Sequence, residues 1–137
     1  MFEKVLLAVD GSEHSRKAVP VAIDIARKSN GEVLIYHVRQ HERVRGTFWE
    51  DEEKEEADEV VERVRSEVAS AGVKARTLVE RVLIGHVAQA IVDAATDNST
   101  DLIVMGSRGL SDLRGLMVGS VTHKVLHLAD RPVLVAR

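Results

Sequence analysis

The sequence predicts an α/β protein: a doubly wound parallel sheet with helices on both faces, in one domain over residues 1–137. Two observations carry this. Short apolar runs alternate strictly with segments whose apolar residues recur at spacings of three and four, giving β-α-β-α-β-α-β-α-β. Strict alternation demands crossover connections, and these make neighbouring strands parallel. The length agrees, since 137 residues suffice for a core that buries roughly two-thirds of the unfolded surface.

The first strand is the run of residues 5–9, VLLAV. It ends at Asp10-Gly11-Ser12, where Ser12 suits the cap of a helix bearing Ala18, Ala22, Ile25 and Ala26 on one face. Pro20 inside that helix removes a backbone donor and predicts a kink. The second strand, residues 33–38 (VLIYHV), leads into a polar loop from Arg39 to about Thr47. A second helix carries Ala57, Val61, Val64, Val68 and Ala71, and Gly72 suits its end. Residues 74–80 (KARTLVE) form a strand of mixed polarity, which suits an edge. A third helix starts near Gly85 with Ala88, Ile91 and Ala95, and residues 102–105 (LIVM) form the fourth strand. A helix with Val118, Val121, Val125 and Leu128 precedes the last strand, residues 132–136. That strand is apolar throughout and comes last, so as an edge it needs a cover; a homodimer formed there would supply one.

Composition narrows the chemistry. An apolar fraction of 45% and a charged fraction of 30% suit a soluble globular protein. The absence of cysteine excludes disulfides, thiol catalysis and cysteine-based metal sites. The opening MFEKVLLAVDGS does not resemble a signal peptide, and no run approaches the roughly 18 apolar residues of a membrane span, so a cytoplasmic protein without membrane association is expected. A net charge of −3 argues against broad nucleic-acid binding. Residues 50–62 are densely acidic and read as a solvated helix face, whereas residues 101–137 hold five Lys/Arg against three Asp. The C-terminal part is the side for an anionic ligand.

In open α/β sheets ligands sit beyond the C-terminal ends of the strands, where the strand order reverses. Two loops qualify: Asp10-Gly11-Ser12, and the segment from Gly106 onward. Neither a dinucleotide fingerprint nor a Walker A loop occurs, and neither Ser107 nor Ser120 stands in a nucleophile elbow. His123 and His127 lie four apart on one helix, but Lys124 breaks any H-E-x-x-H pattern, so a plain histidine pair is expected and no metal site. Gly106 and Gly109 follow the fourth strand, and Gly119-Ser120 immediately precede helical periodicity. A helix start offers free N–H groups and a positive dipole end to phosphate, with Ser120, Arg108 or Arg114 as further donors. The alternative is that the glycines only turn the chain while Ser120 caps its helix. Between these glycines, LSDLRGLMV carries four large apolar residues that need a packing partner, which a second subunit would supply.

The spacing G-x2-G-x9-G-[ST], here Gly106, Gly109, Gly119 and Ser120, resembles the nucleotide signature of the universal stress protein family. VLLAVDGSEHS, VLIYHV, IGHVAQAIVDAA, DLIVMGSRG and RPVLVAR match that family in kind and order, so the resemblance spans essentially the whole chain. It implies a Rossmann-like fold of the adenine nucleotide alpha hydrolase type, with five parallel strands in order 3-2-1-4-5 and four helices. It also implies dimers paired through the fifth strands, and ATP as ligand with Mg²⁺ held by the phosphates. Carried over by position, Ala8, Val9 and Asp10 would line the nucleoside and Val38 would present backbone groups to adenine. Met105, Gly106, Arg108 and Gly109 would run along ribose and phosphates, and Gly119, Ser120 and Val121 would hold the phosphates. The implied role is a small dimeric sensor or regulator of the stress response. The sequence has no Walker lysine, no obvious general base and no recognisable arginine finger, so ATP turnover is expected to be weak at most. A slow ATP hydrolase or phosphotransferase and a nucleotide-free scaffold are the alternatives.

Overall fold

Apolar side chains that alternate across a strand need a core on each face, and here both cores are present. The structure, a computed structural model, describes residues 1–50, 53–107 and 119–137. In chain order the elements are β1 (Lys4–Ala8), α1 (Glu13–Arg16), α2 (Ala18–Lys28), β2 (Glu32–Val44), β3 (Thr47–Glu50), α3 (Lys54–Ser70), β4 (Lys74–Leu83), α4 (Val87–Asp97), β5 (Leu102–Gly106), α5 (Ser120–Leu128) and β6 (Val133–Ala136). β1 lies between β2 and β5, with β4 beyond β2 and β6 beyond β5, all in parallel. These five strands have the expected 3-2-1-4-5 order.

Strand periodicity sorts the residues between the two cores. Val5, Leu7, Val33 and Ile35 pack with α2 and α3. Leu6, Ala8, Leu34 and Tyr36 pack with α4 and α5. Leu6, Leu7, Ile35 and Ile103 are fully shielded from solvent, each contributing about 1.5–3 kcal/mol relative to exposure. The Tyr36 hydroxyl is buried without a hydrogen-bond partner among the described residues. Burial first, and then the neighbouring Glu80 carboxylate, hold its phenol well above the ordinary value.

Three expectations need correction. The polar loop of residues 39–47 is instead a β-hairpin: β2 runs on to Val44, and β3 returns antiparallel to it, giving a sixth strand. Among the described residues Val44, Phe48 and Trp49 of this ribbon stay exposed, so its strands need no apolar alternation. It is held instead by Glu50, which bridges Arg39 (3.4 Å) and Arg81 (3.0 Å), and by Phe48. The Phe48 ring stacks on His41 and lies under the Arg81 guanidinium, 4.9 Å from its carbon. Second, the helix expected to kink at Pro20 breaks earlier, at Lys17, between α1 and α2. Pro20 occupies the first turn of α2, and its ring would clash with the Arg16 carbonyl of a continuous helix. Third, the strand expected over residues 74–80 continues to Leu83, paired along β2. The helix expected to start near Gly85 does so, at Val87, and Gly85 takes a positive φ just before it.

β6 pairs with β5 alone among the described residues, and Val133, Leu134 and Val135 are half-buried. The last strand is therefore an edge, as expected. Arg131 fastens its start to α4: Nη1 donates to the Ala95 (3.0 Å) and Thr100 (2.6 Å) carbonyls, and Nη2 to Thr96 Oγ1 (2.8 Å).

Candidate functional site

β1 stops at Ala8, whereas its neighbour β2 continues well beyond it. The peptide groups of β2 show what occupies that vacated edge. The Val9 N–H donates to the Tyr36 carbonyl (2.9 Å), so even-numbered residues of β2 face β1; the Ile84 N–H donates to the His41 carbonyl (3.0 Å), so odd-numbered ones face β4. The hairpin turn is Arg45-Gly46, both at positive φ, and the residues flanking such a two-residue turn bond to each other. These are Val44 and Thr47, so β3 lies on the even edge, in line with β1 and beyond its end. A notch remains between the end of β1 and β3, and the peptide groups of Val38 face into it.

One wall of the crevice is the Asp10 turn. Gly11 takes φ +84°, and the Ser12 N–H donates to Asp10 Oδ1 (2.9 Å). Ser12 caps α1 as expected, its Oγ accepting the Ser15 N–H (3.1 Å). Ser15 Oγ in turn accepts the Asp10 N–H (3.3 Å) and donates to the Ser12 carbonyl (3.1 Å). The carboxylate thus stands at the C-terminal end of β1 on a hydrogen-bonded turn.

The facing wall is the end of β5 and the start of α5. A Cβ on Gly106 would lie 2.3 Å from the His14 carbonyl oxygen and 3.0 Å from the Ser15 nitrogen. Glycine here lets α1 rest on β5, a requirement of the fold that exists without any ligand. The Gly119 N–H donates to the Ser107 carbonyl (2.6 Å), and Thr122 Oγ1 donates to the Gly106 carbonyl (2.9 Å). Gly119, not Ser120, is the N-cap of α5, and among the described residues no side chain caps the helix. Among the described residues, the N–H groups of the first turn have no acceptor.

Asp10, Gly106, Gly119, Ser120 and Val121 thus lie at or just beyond the C-terminal ends of the adjacent strands β1 and β5, with Val38 on β2 beside β1. Ala8, Val9 and Met105 have their side chains in the cores, so only their main chain can face a ligand. Arg108, Gly109, Arg114, Gly115 and Val118 lie outside the described residues, as do Asp51 and Glu52 of the acidic block. His123 and His127 are exposed on α5. Sequence reasoning missed two residues: Thr122, which ties α5 to β5, and His37, which is 3% exposed on β2 with Nδ1 2.7 Å from the Val9 carbonyl. A histidine inside an otherwise apolar strand was the available signal for the second.

Comparison with known proteins agrees with this fold. The model of the universal stress protein family matches residues 1–137. The universal stress protein YxiE of Bacillus subtilis is 35% identical, with all of both chains covered. The solved structure of MJ0577, a universal stress protein of Methanocaldococcus jannaschii, superposes with a TM-score of 0.81 at 27% identity, covering 99% of this chain and 96% of that one. A universal stress protein solved in complex with cAMP superposes with a TM-score of 0.70 at 25% identity, covering 98% and 95%. With its parallel strands in this order and a family match over residues 1–137, this chain belongs to the universal stress protein family.

Proposed function

We propose that this protein binds ATP in the crevice between the Asp10 turn and the start of α5, and acts as a small dimeric stress sensor or regulator. The observation that carries the proposal is the N-terminus of α5, which has no side-chain cap among the described residues and is tied to the end of β5, the strand beside β1 where strand order reverses. In this reading Gly119, Ser120 and Val121 hold phosphate oxygens through N–H groups and the Ser120 hydroxyl. Arg108 and Gly109 extend that grip, and Mg²⁺ rides on the phosphates. The main chain of Met105 and Gly106 follows the ribose, Ala8 and Val9 line the nucleoside, and Val38 meets the adenine edge. Asp10 faces the ribose or base, because a carboxylate beside the phosphates would repel them. The related protein solved with cAMP supports an adenine nucleotide in this fold.

Calorimetric titration of the purified protein with Mg·ATP tests this directly, and saturable 1:1 binding is the expected result. Gly109→Val should abolish binding and leave the fold intact by circular dichroism. Retained affinity in that variant would move the phosphate site elsewhere, and no binding by the unmodified chain would end the reading. The dimer is proposed to form through β6, which among the described residues pairs on one side only and is half-buried and apolar. Sedimentation velocity should give twice the mass of one chain; a monomer at every concentration would refute it.

A further inference from the structure

The β1–β2 ladder ends in an unusual way, and a side chain ends it. In a parallel ladder, the strand that receives an N–H at one residue returns its own N–H two residues later. Because Val9 donates to Tyr36, the next rung would run from the Val38 N–H to the Val9 carbonyl. Among the described residues that rung is not made. The Val9 carbonyl instead meets His37 Nδ1 at 2.7 Å. A carbonyl can only accept, so Nδ1 carries the proton and donates it. One side chain has thus taken the place of the neighbouring backbone amide. The imidazole is 3% exposed, so this exchange is made inside the protein and not in competition with water.

We propose that His37 is a positioning residue for nucleotide binding: by satisfying the Val9 carbonyl it leaves the Val38 N–H for an acceptor nitrogen on the base. This rests on the reading of the crevice as a nucleotide site. The same bond fixes the Val9–Asp10 peptide, so one imidazole sets both the backbone edge and the carboxylate turn that flank the notch. Without the imidazole donor, the Val9 carbonyl would be buried and unsatisfied. The nearest remedy is the Val38 amide, which would close the ladder by one rung and consume the donor the base needs.

The test compares the unmodified protein with His37→Leu, which removes the donor, and His37→Asn, which retains one. Exchange of the Val38 amide is followed by NMR, and affinities for ATP and for inorganic tripolyphosphate are measured by calorimetry. In the unmodified protein the Val38 amide should exchange quickly when free and slowly with ATP. In His37→Leu it should exchange slowly even without ligand. ATP should bind about tenfold more weakly to that variant, the size of one lost hydrogen bond. Tripolyphosphate, which has no base, should bind both equally, and His37→Asn should restore ATP affinity. Slow exchange of Val38 in the free unmodified protein overturns the proposal without any variant. Equal ATP affinity in all three proteins overturns it as well. Absence of ATP binding to the unmodified protein, with the Val38 difference intact, would instead remove the nucleotide reading and leave the ladder-ending role of His37 standing.

Discussion

Gly31→Ala should lower stability by about 3 kcal/mol, the upper range for forcing an extra methyl into a filled site, and lower the melting temperature by about 10 °C. The added Cβ would lie 2.1 Å from the Glu3 carbonyl oxygen, 2.7 Å from its carbon and 2.8 Å from Cα of Glu3. All three are backbone atoms, so no side-chain rotation can relieve the contact. The main chain on both sides is also fixed: the Gly31 N–H donates to the Ala26 carbonyl (2.8 Å), and the Glu32 N–H to the Glu3 carbonyl (2.7 Å). Relief therefore requires β1 and β2 to part at their first rung. Gly72→Ala is the control. Gly72 has φ +80° with nothing within 4 Å of its Cβ position, so that change should cost only about 1 kcal/mol of backbone strain. Thermal melts of both variants decide the matter; equal losses would show that the Glu3 contact relaxes freely.

Gly106→Ala should damage fold and site together. Its Cβ would meet the His14 carbonyl at 2.3 Å (oxygen) and 2.7 Å (carbon), so α1 must lift from the end of β5 at a cost of about 2 kcal/mol. α1 has only four residues, and Ser15 within it accepts the Asp10 N–H. Lifting α1 therefore moves the Asp10 turn as well as opening the crevice. ATP affinity should fall at least about tenfold, a change of roughly 1.4 kcal/mol, alongside the lower melting temperature. Loss of ATP binding at an unchanged melting temperature would mean that Gly106 serves the ligand alone. The opposite result, a destabilised protein with full affinity, would remove Gly106 from the binding surface.

How much of this could be read beforehand differs from element to element. β1, β2 as far as Val38, and β5 were legible because strands buried on both faces must be apolar at every position, and VLLA, VLIYHV and LIVM are nearly so. The start of α5 was legible because glycine and serine precede renewed helical spacing. The hairpin of residues 39–50 was not, since each of its strands is stabilised by cross-strand ion pairs and by Phe48 rather than by a core. Such contacts depend on Arg81, more than thirty residues away, and leave no periodic signature. Gly106 was read as a ligand glycine from its spacing, while its contact with α1 is a second and independent reason for glycine there.

The sequence alone determined the five parallel strands and the helices that alternate with them, because local periodicity and the crossover connections it demands suffice for these, and its family resemblance supplied their order in the sheet. Only the tertiary structure decided that β3 takes the edge β1 gives up, that α1 rests on Gly106, and that His37 rather than Val38 satisfies the Val9 carbonyl. Each of these depends on which backbone group lies opposite another across the sheet, and that is a matter of register between residues distant along the chain.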